Sequence, residues 1–429
     1  MRRCVLTEGE TPTLSEALEG CDAGVSVEEL KKAVLDMRAT LGYFRRGAVG
    51  GIALDTPRPD VVGDRAHTGF WVGVYRYAGG VELVIKPRVS RYYRMVERTD
   101  EVLRDVYPLY LLSKSLVATN VPNIVRITRI IWEARGLIQR EPKYFRAAVE
   151  ASSGKLIVRG DRELLVKNIS VPNVWLASSV LLTLSNLSQF LRGALRYTSG
   201  LPEGVGKALE LYISSLESAL KVLHKDAEEE IPHLWVEDLD PGDYFYLPAI
   251  ARRVGSEFFL IPSTKLYETY VLALTVRTLK RDGLAAKVLR GGIAVDVEGD
   301  GRVYFNKAPT SKLIRRIAGI APRPDIVVES GRNLIVVEAK YRRLDERRLR
   351  RADAIRLVAY LADVARDHRL RGVVAALEPP HQAGGCPAVS ANIDSTQAEI
   401  RFSRVNPDYE KSEEEFIECI RGILSTGQP

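Results

Sequence analysis

The sequence predicts an α/β protein, α+β in overall arrangement, with an N-terminal β-rich domain, a helical connector and a C-terminal mixed-sheet domain. Three observations predict it. Residues 323–340, RPDIVVESGRNLIVVEAK, hold two apolar β-branched runs around a polar turn and read as a β-hairpin. Residues 70–89 read as a second hairpin about Gly79-Gly80. Between them, Val174 to Leu223 is strongly helical by pattern, in two pieces broken near Gly200-Leu201-Pro202. The implied boundaries are 1–170, 171–245 and 246–429.

A chain of 429 residues has ample material for two or three domains, and 46% hydrophobic with 27% charged residues is the balance of a globular protein. The net charge of +7 is consistent with a polyanionic partner. Cys4, Cys21, Cys386 and Cys419 are scattered without ligand spacing, so neither a disulfide framework nor a zinc site is expected. His67, His224, His233, His368 and His381 form no ligand pattern either. There is no basic-then-apolar leader and no uninterrupted apolar span of about 18 residues. The most apolar stretch, Val174 to Leu191, is interrupted by Ser, Thr, Asn and Gln and reads as a buried helix. The expectation is a cytoplasmic protein that makes no membrane contact.

Taken in order, Val27 to Leu41 is a helix and residues 46–66, rich in Gly, Pro and Asp, a loop. After the hairpin at 70–89, Tyr92 to Lys114 is helical by pattern, and Asn123 to Trp132 and Lys155 to Val166 are strand candidates. Within the connector, Gly200 to Ala208 approaches a phosphate-binding loop. It fails on Leu201, where the pattern needs Gly, and on Ala208, where it needs a hydroxyl for Mg²⁺. Nucleotide hydrolysis by this chain is therefore excluded.

Ser263 or Thr264 caps a helix expected to run to about Arg281, with Gly283 beyond its end. Glu268 points the way its apolar neighbours Val271, Leu272, Thr275 and Leu279 point. It must find a partner inside, or else snorkel to water from the helix edge. Ala286 to Val297 and Arg302 to Phe305 are strand candidates before the central hairpin. Tyr341 to Arg366 is read as helical, with a basic first part and a buried stripe of Ala354, Leu357, Val358 and Leu361. Arg342, Arg343, Arg347 and Arg350 are candidates for phosphate contact. The interspersed Asp345, Glu346 and Asp353 also permit a plain solvated face of ion pairs. Gly372 to Leu377 is a further strand, Pro379 to Cys386 a loop, and Glu399 to Ser403 and Ser412 to Leu424 a last strand and helix.

The central hairpin carries the chemistry. A two-residue turn at Gly331-Arg332 sets a register in which Asp325 stands directly opposite Glu338. Facing Cβ atoms on such a pair are roughly 4.5–5.5 Å apart. Lys340, two residues on, shares the face of Glu338. Two carboxylates so close repel, and burial makes the repulsion worse. A divalent cation removes the conflict, because hard oxygen ligands suit Mg²⁺. The alternative is a surface hairpin with Glu338 and Lys340 paired in solvent. Pro59-Asp60 and Pro407-Asp408 are also Pro-Asp pairs, and neither leads into an apolar strand ending in Glu-x-Lys.

Pro324-Asp325 followed by Glu338-Ala339-Lys340 resembles the motif of the PD-(D/E)xK nucleases. With Tyr341 it resembles McrC, the nuclease subunit of McrBC-type modification-dependent restriction systems. Val72-Gly73-Val74, Ile85-Lys86-Pro87-Arg88 and Leu266-Tyr267-Glu268 extend the likeness along the chain. Arg356 departs from it, since relatives often carry Gln four residues before the Tyr that is Tyr360 here.

The resemblance implies a restriction-endonuclease-like domain and an Mg²⁺- (or Mn²⁺-) dependent endonuclease. Asp325, Glu338 and the Ala339 carbonyl would hold metal, Glu268 would complete the shell or orient a water, and Lys340 would stabilise the transition state. It also implies double-stranded DNA, modified in some way, as substrate, a role in antiviral restriction, and an McrB-like AAA+ GTPase hexamer as partner. Two other classes stay open: a stand-alone repair or junction-processing nuclease, and a non-catalytic assembly or activator subunit of an NTPase.

Overall fold

The computed structural model describes residues 1–47, 56–103, 118–119, six positions between 201 and 214, 258–279, 284–289, 292–297, 301–306, 316, 323–330, 333–343, 351–364, 369–378, 386–393 and 396–425. The strands expected at 123–132 and 155–166, and nearly all of the expected connector at 171–245, lie outside them. The chain forms two compact units, Met1–Arg88 with Pro108–Pro262, and Val89–Tyr107 with Ser263–Pro429. The protein is of mixed α+β class, and among the described residues no helix is long and apolar enough to cross a membrane.

The first unit contains β1 (Arg2–Thr7), α1 (Leu14–Leu18), α2 (Val27–Gly47), β2 (Asp60–Val62), β3 (Arg65–His67), β4 (Trp71–Tyr77), β5 (Val81–Lys86), β6 (Ala118–Thr119) and β7 (Phe258–Pro262). Five of the strands form a sheet in the order β1-β5-β4-β7-β6. The hairpin expected at 70–89 is β4–β5, turning at Gly79-Gly80. Gly80 has φ +85°, a conformation open to glycine at little cost. Trp71, Tyr75 and Leu83 of the sheet pack with Leu30, Met37 and Leu41 of α2.

Among the elements here that escaped the sequence reading are β1 and α1. β1 hides behind its charged opening, Arg2-Arg3, yet alternates Cys4 and Leu6 inward and pairs in parallel with β5. α1 is announced by a capping box. The Thr13 hydroxyl accepts from the Glu16 N–H at 3.2 Å, and the Glu16 carboxylate accepts from the Thr13 N–H at 2.7 Å. The presumed loop at 46–66 ends in the small hairpin β2–β3. Cys4 and Cys21 are joined by a disulfide, as are Cys386 and Cys419 in the second unit, contrary to the expectation from their spacing. Each pair joins an element to a connecting segment, Cys4 of β1 and the later helix residue Cys419 each meeting a cysteine outside any strand or helix, a proximity that spacing does not reveal.

The second unit contains α3 (Tyr93–Leu103), α4 (Ser263–Leu279), β8 (Leu284–Leu289), β9 (Gly292–Val297), β10 (Gly301–Phe305), β11 (Ile326–Ser330), β12 (Asn333–Arg343), α5 (Arg351–Val364), β13 (Arg369–Glu378), β14 (Ala388–Ile393), β15 (Thr396–Arg404) and α6 (Lys411–Ser425). Its eight-stranded sheet runs β14-β15-β13-β12-β11-β10-β9-β8. The strands from β8 to β12 pair antiparallel. β12, β13 and β15 are mutually parallel, with α5 as the crossover between β12 and β13. The stretch 286–297, expected as one strand, is the hairpin β8–β9.

One face of this sheet meets α5. Val327, Leu334, Val336, Val374 and Ala376 pack with Leu357 and Leu361. Val358, expected in that stripe, is 46% exposed, since the next helical position rotates away from the sheet. α4 packs against β12, and its Tyr267 ring lies 5.3 Å from that of Tyr341. Helix α4 is almost wholly buried, because α3, α6 and the sheet all pack against it. Glu413, in the first turn of α6, ties these helices together. It accepts from Arg94 at 2.8 Å, Arg98 at 3.0 Å and the Tyr270 hydroxyl at 3.0 Å. Asp408 of the second Pro-Asp pair accepts from the N–H groups of Ser90 and Arg91 just ahead of α3, a capping role.

Candidate active site

The β11–β12 register is the one the turn dictates. Ser330 pairs with Asn333 and Ile326 with Val337, so Asp325 and Glu338 are the next facing positions. Asp325 lies just ahead of β11, where the Asn306 N–H donates to its carbonyl at 2.9 Å. One carboxylate oxygen, Oδ2, accepts the Ala339 N–H at 2.9 Å. Strand alternation puts Glu338 and Lys340 on the face that carries Leu334 and Val336, the face covered by α5.

Glu338 is 2% exposed. Its Oε2 accepts from Lys340 Nζ at 2.9 Å, and its Oε1 has no hydrogen-bond partner among the described residues. Burial first, and the Asp325 carboxylate second, push its pKa up to about 7, against the pull of Lys340. Burial would lower the Lys340 pKa, but the Asp325 and Glu338 carboxylates outweigh it and hold that pKa above its ordinary value.

Helix α5 brings further charge to the same place. Asp353, in its first turn, accepts from Arg342 in a short ion pair and from Arg356 at 3.1 Å, and lies 3.7 Å from Lys340 Nζ. Burial works to raise the Asp353 pKa, and Lys340 and Arg342 override it, leaving the group below the ordinary range. Arg356 also reaches within 3.8 Å of Glu338 Oε2. Tyr360, one turn on, is raised in pKa by burial and then by Glu338.

The structure thus brings Asp325, Glu338 and Lys340 together, with the Ala339 backbone between them. Glu268, on α4, is buried as its neighbours implied and accepts from Lys265 at 2.7 Å. No group of three or more His, Cys, Asp or Glu side chains among the described residues is arranged to hold a metal ion. Of the arginines expected at phosphate, Arg342 is committed to Asp353. It sits on β12, because the strand continues through Arg343 where a helix was expected from Tyr341. The Arg343 side chain, Arg347 and Arg350 lie outside the described residues. Asp353 and Arg356 were in view in the sequence, but only the β12–α5 crossover shows that they face the carboxylates.

A buried carboxylate forced against another, with one oxygen unsatisfied, is a donor set that fits a hard divalent cation. A scan against protein-family models and a search of curated proteins each found no match. Among solved structures, the chain is similar to one from the refined half-complex of the tetradecameric assembly of Thermococcus gammatolerans McrB AAA+ hexamers with bound McrC. The identity is 16% and the TM-score 0.44, with 98% of this chain and 100% of that chain covered.

Proposed function

We propose that this chain is the endonuclease subunit of an McrC-like restriction complex, hydrolysing DNA phosphodiester bonds with a divalent cation. The observation that carries the reading is Glu338, buried beside Asp325 with an unsatisfied oxygen and a pKa raised to about 7. Such an arrangement is unfavourable in a purely structural sheet, and function is a frequent reason for it. Asp325 and Glu338 would hold Mg²⁺ or Mn²⁺, which when bound lowers the pKa of water and offsets charge on the phosphate. Glu268, which accepts from Lys265, would complete the shell or orient a water.

The remaining work falls to the protein's own groups. Lys340 is drawn to the carboxylate pair and stays charged there, so it can donate to a phosphate oxygen as negative charge grows on it. Leu357 and Leu361, packed over the strands, keep bulk water from the inner side of the pair. The Ala339 N–H fixes the Asp325 carboxylate against rotation.

The AAA+ GTPase partner belongs to the same proposal and rests on the motif likeness at Val72-Gly73-Val74, Ile85 to Arg88 and Leu266 to Glu268. The test is cleavage of modified and unmodified duplex DNA by the chain with and without its co-purifying NTPase. Asp325→Asn is expected to abolish cutting while leaving the fold and the partner complex intact. Cutting by Asp325→Asn at the parent rate refutes the site.

A further inference from the structure

We infer that Arg356 contacts the scissile phosphate alongside Lys340, and that Asp353 is a positioning residue that aims Arg356 and Lys340 at it. The inference rests on the nuclease reading above and adds residues that the motif does not contain.

Arg356 has about half of its side chain open to solvent, while Lys340 is largely covered. Its guanidinium lies 3.8 Å from Glu338 Oε2 and 3.1 Å from Asp353 Oδ1. A planar guanidinium pinned on one edge by a carboxylate keeps its other edge for an incoming oxyanion, and a phosphodiester offers two oxygens in matching geometry. Arg342 is only 21% exposed and is bound to the same Asp353.

Asp353 makes the arrangement hold. Without it, Arg342, Arg356 and Lys340 would repel one another, and each would turn to Glu338. With it, the three cations are spread around one anion on α5. Lys340 Nζ stands 2.9 Å from Glu338 and 3.7 Å from Asp353, so a cation that takes up Glu338 leaves Lys340 a second carboxylate to lean on. The helix supplies this without strain. Asp353 and Arg356 are one turn apart on one face, and Leu357 and Leu361 lock that face to the sheet.

Removing a negative charge beside DNA ordinarily strengthens binding. A positioning role makes the opposite demand on the rate, and this contrast is the test. Using the chain with its partner NTPase, binding to a short duplex is measured in EDTA across a salt series, and cleavage in Mg²⁺. Arg356→Ala is expected to weaken binding, to reduce the salt slope by about one phosphate contact, and to slow cleavage about 10²-fold. Arg356→Lys is expected to keep the salt slope and lose about tenfold in cleavage, because a point charge replaces a fork. Asp353→Asn is expected to bind DNA at least as tightly as the parent, yet to cut about 10–100-fold more slowly with KM unchanged or lower.

Parent-like cutting by Asp353→Asn or Arg356→Ala, with Asp325→Asn inactive, overturns this inference and leaves the nuclease reading standing. A parent protein that neither binds nor cuts DNA with its partner overturns both. An Asp353→Asn variant that loses rate only in proportion to lost folded protein, measured by its unfolding midpoint, also overturns the positioning role.

Discussion

Replacing Glu338 by Gln tests the electrostatics of the site without any substrate. Burial and the Asp325 carboxylate raise the Glu338 pKa from 4.5 to about 7. Between those values the folded protein holds a proton that the unfolded chain has released. Stability therefore falls as pH rises, by about 1.4 kcal/mol per unit. The stabilising contribution is complete below 4.5 and is lost as pH passes through 7, about 3 kcal/mol in all. The Glu338→Gln side chain has no such proton and still offers an oxygen to Lys340. Relative to the parent, the variant is expected to gain little near pH 4 and up to about 3 kcal/mol above pH 8, in EDTA. Urea unfolding followed by far-UV circular dichroism across this range reads the difference directly. Added Mg²⁺ is expected to close the gap by stabilising the parent alone. Parallel stability curves for the two proteins from pH 5 to about 8.5 would show that Glu338 is not held in the strained state described here.

Two further perturbations probe what holds each unit together internally. Glu413→Ala removes the acceptor shared by Arg94, Arg98 and Tyr270, and strands Arg94 at 15% exposure. The expected loss is about 3 kcal/mol, with Glu413→Gln recovering part of it, read from denaturation midpoints. Reducing the Cys4–Cys21 bridge, which closes a short loop, is expected to cost about 3 kcal/mol in the chain-entropy account. Thermal unfolding with and without reductant, against Cys4→Ser, checks this, and an unchanged Tm in all three refutes it.

The geometry of the candidate site was legible because it is local. A hairpin with a two-residue turn fixes its own register, so the spacing from Asp325 to Glu338 already states that they face each other. Strand period then places Lys340. The long apolar helix α4 was equally plain from its composition, since nearly every position is buried and no amphipathic period is needed to find it. The residues that escaped are those whose neighbours are set by topology. Asp353 and Arg356 resemble an ordinary helical ion pair until the crossover lays α5 over the end of β12. The continuation of β12 to Arg343 was masked by its basic composition. What decides it is the partner strand, where Arg343 stands opposite Glu378. β1 went unseen for a related reason, its pairing with β5 being long-range.

Gly301 shows the same limit at the scale of one residue. Its φ of +141° and the Glu329 carbonyl oxygen, 2.2 Å from where a Cβ would be, leave room for glycine alone. In sequence it is one glycine among several between two strands. In the sheet it is what lets β10 lie against β11 and so places Asn306, whose N–H holds the Asp325 backbone.

The charges at the site add a final constraint. Asp325, Glu338 and Asp353 carry three negative charges, and Lys340, Arg342 and Arg356 three positive ones, all linked by short contacts or by direct effects on pKa. The cluster is therefore neutral when Glu338 is ionised. Its neutrality does not relieve Glu338, because the cations are shared with Asp353 and one Glu338 oxygen stays unsatisfied. A divalent cation would bring the cluster to a net charge of +2. Attack of hydroxide on a phosphodiester brings two negative charges, so the loaded site and the reacting group would cancel. A structural ion-pair network has no use for that mismatch and would relax by exposing Glu338 or replacing it with an apolar residue. The site instead keeps Glu338 buried on a rigid strand and keeps Arg356 open to solvent, the distribution expected where an anion has to enter.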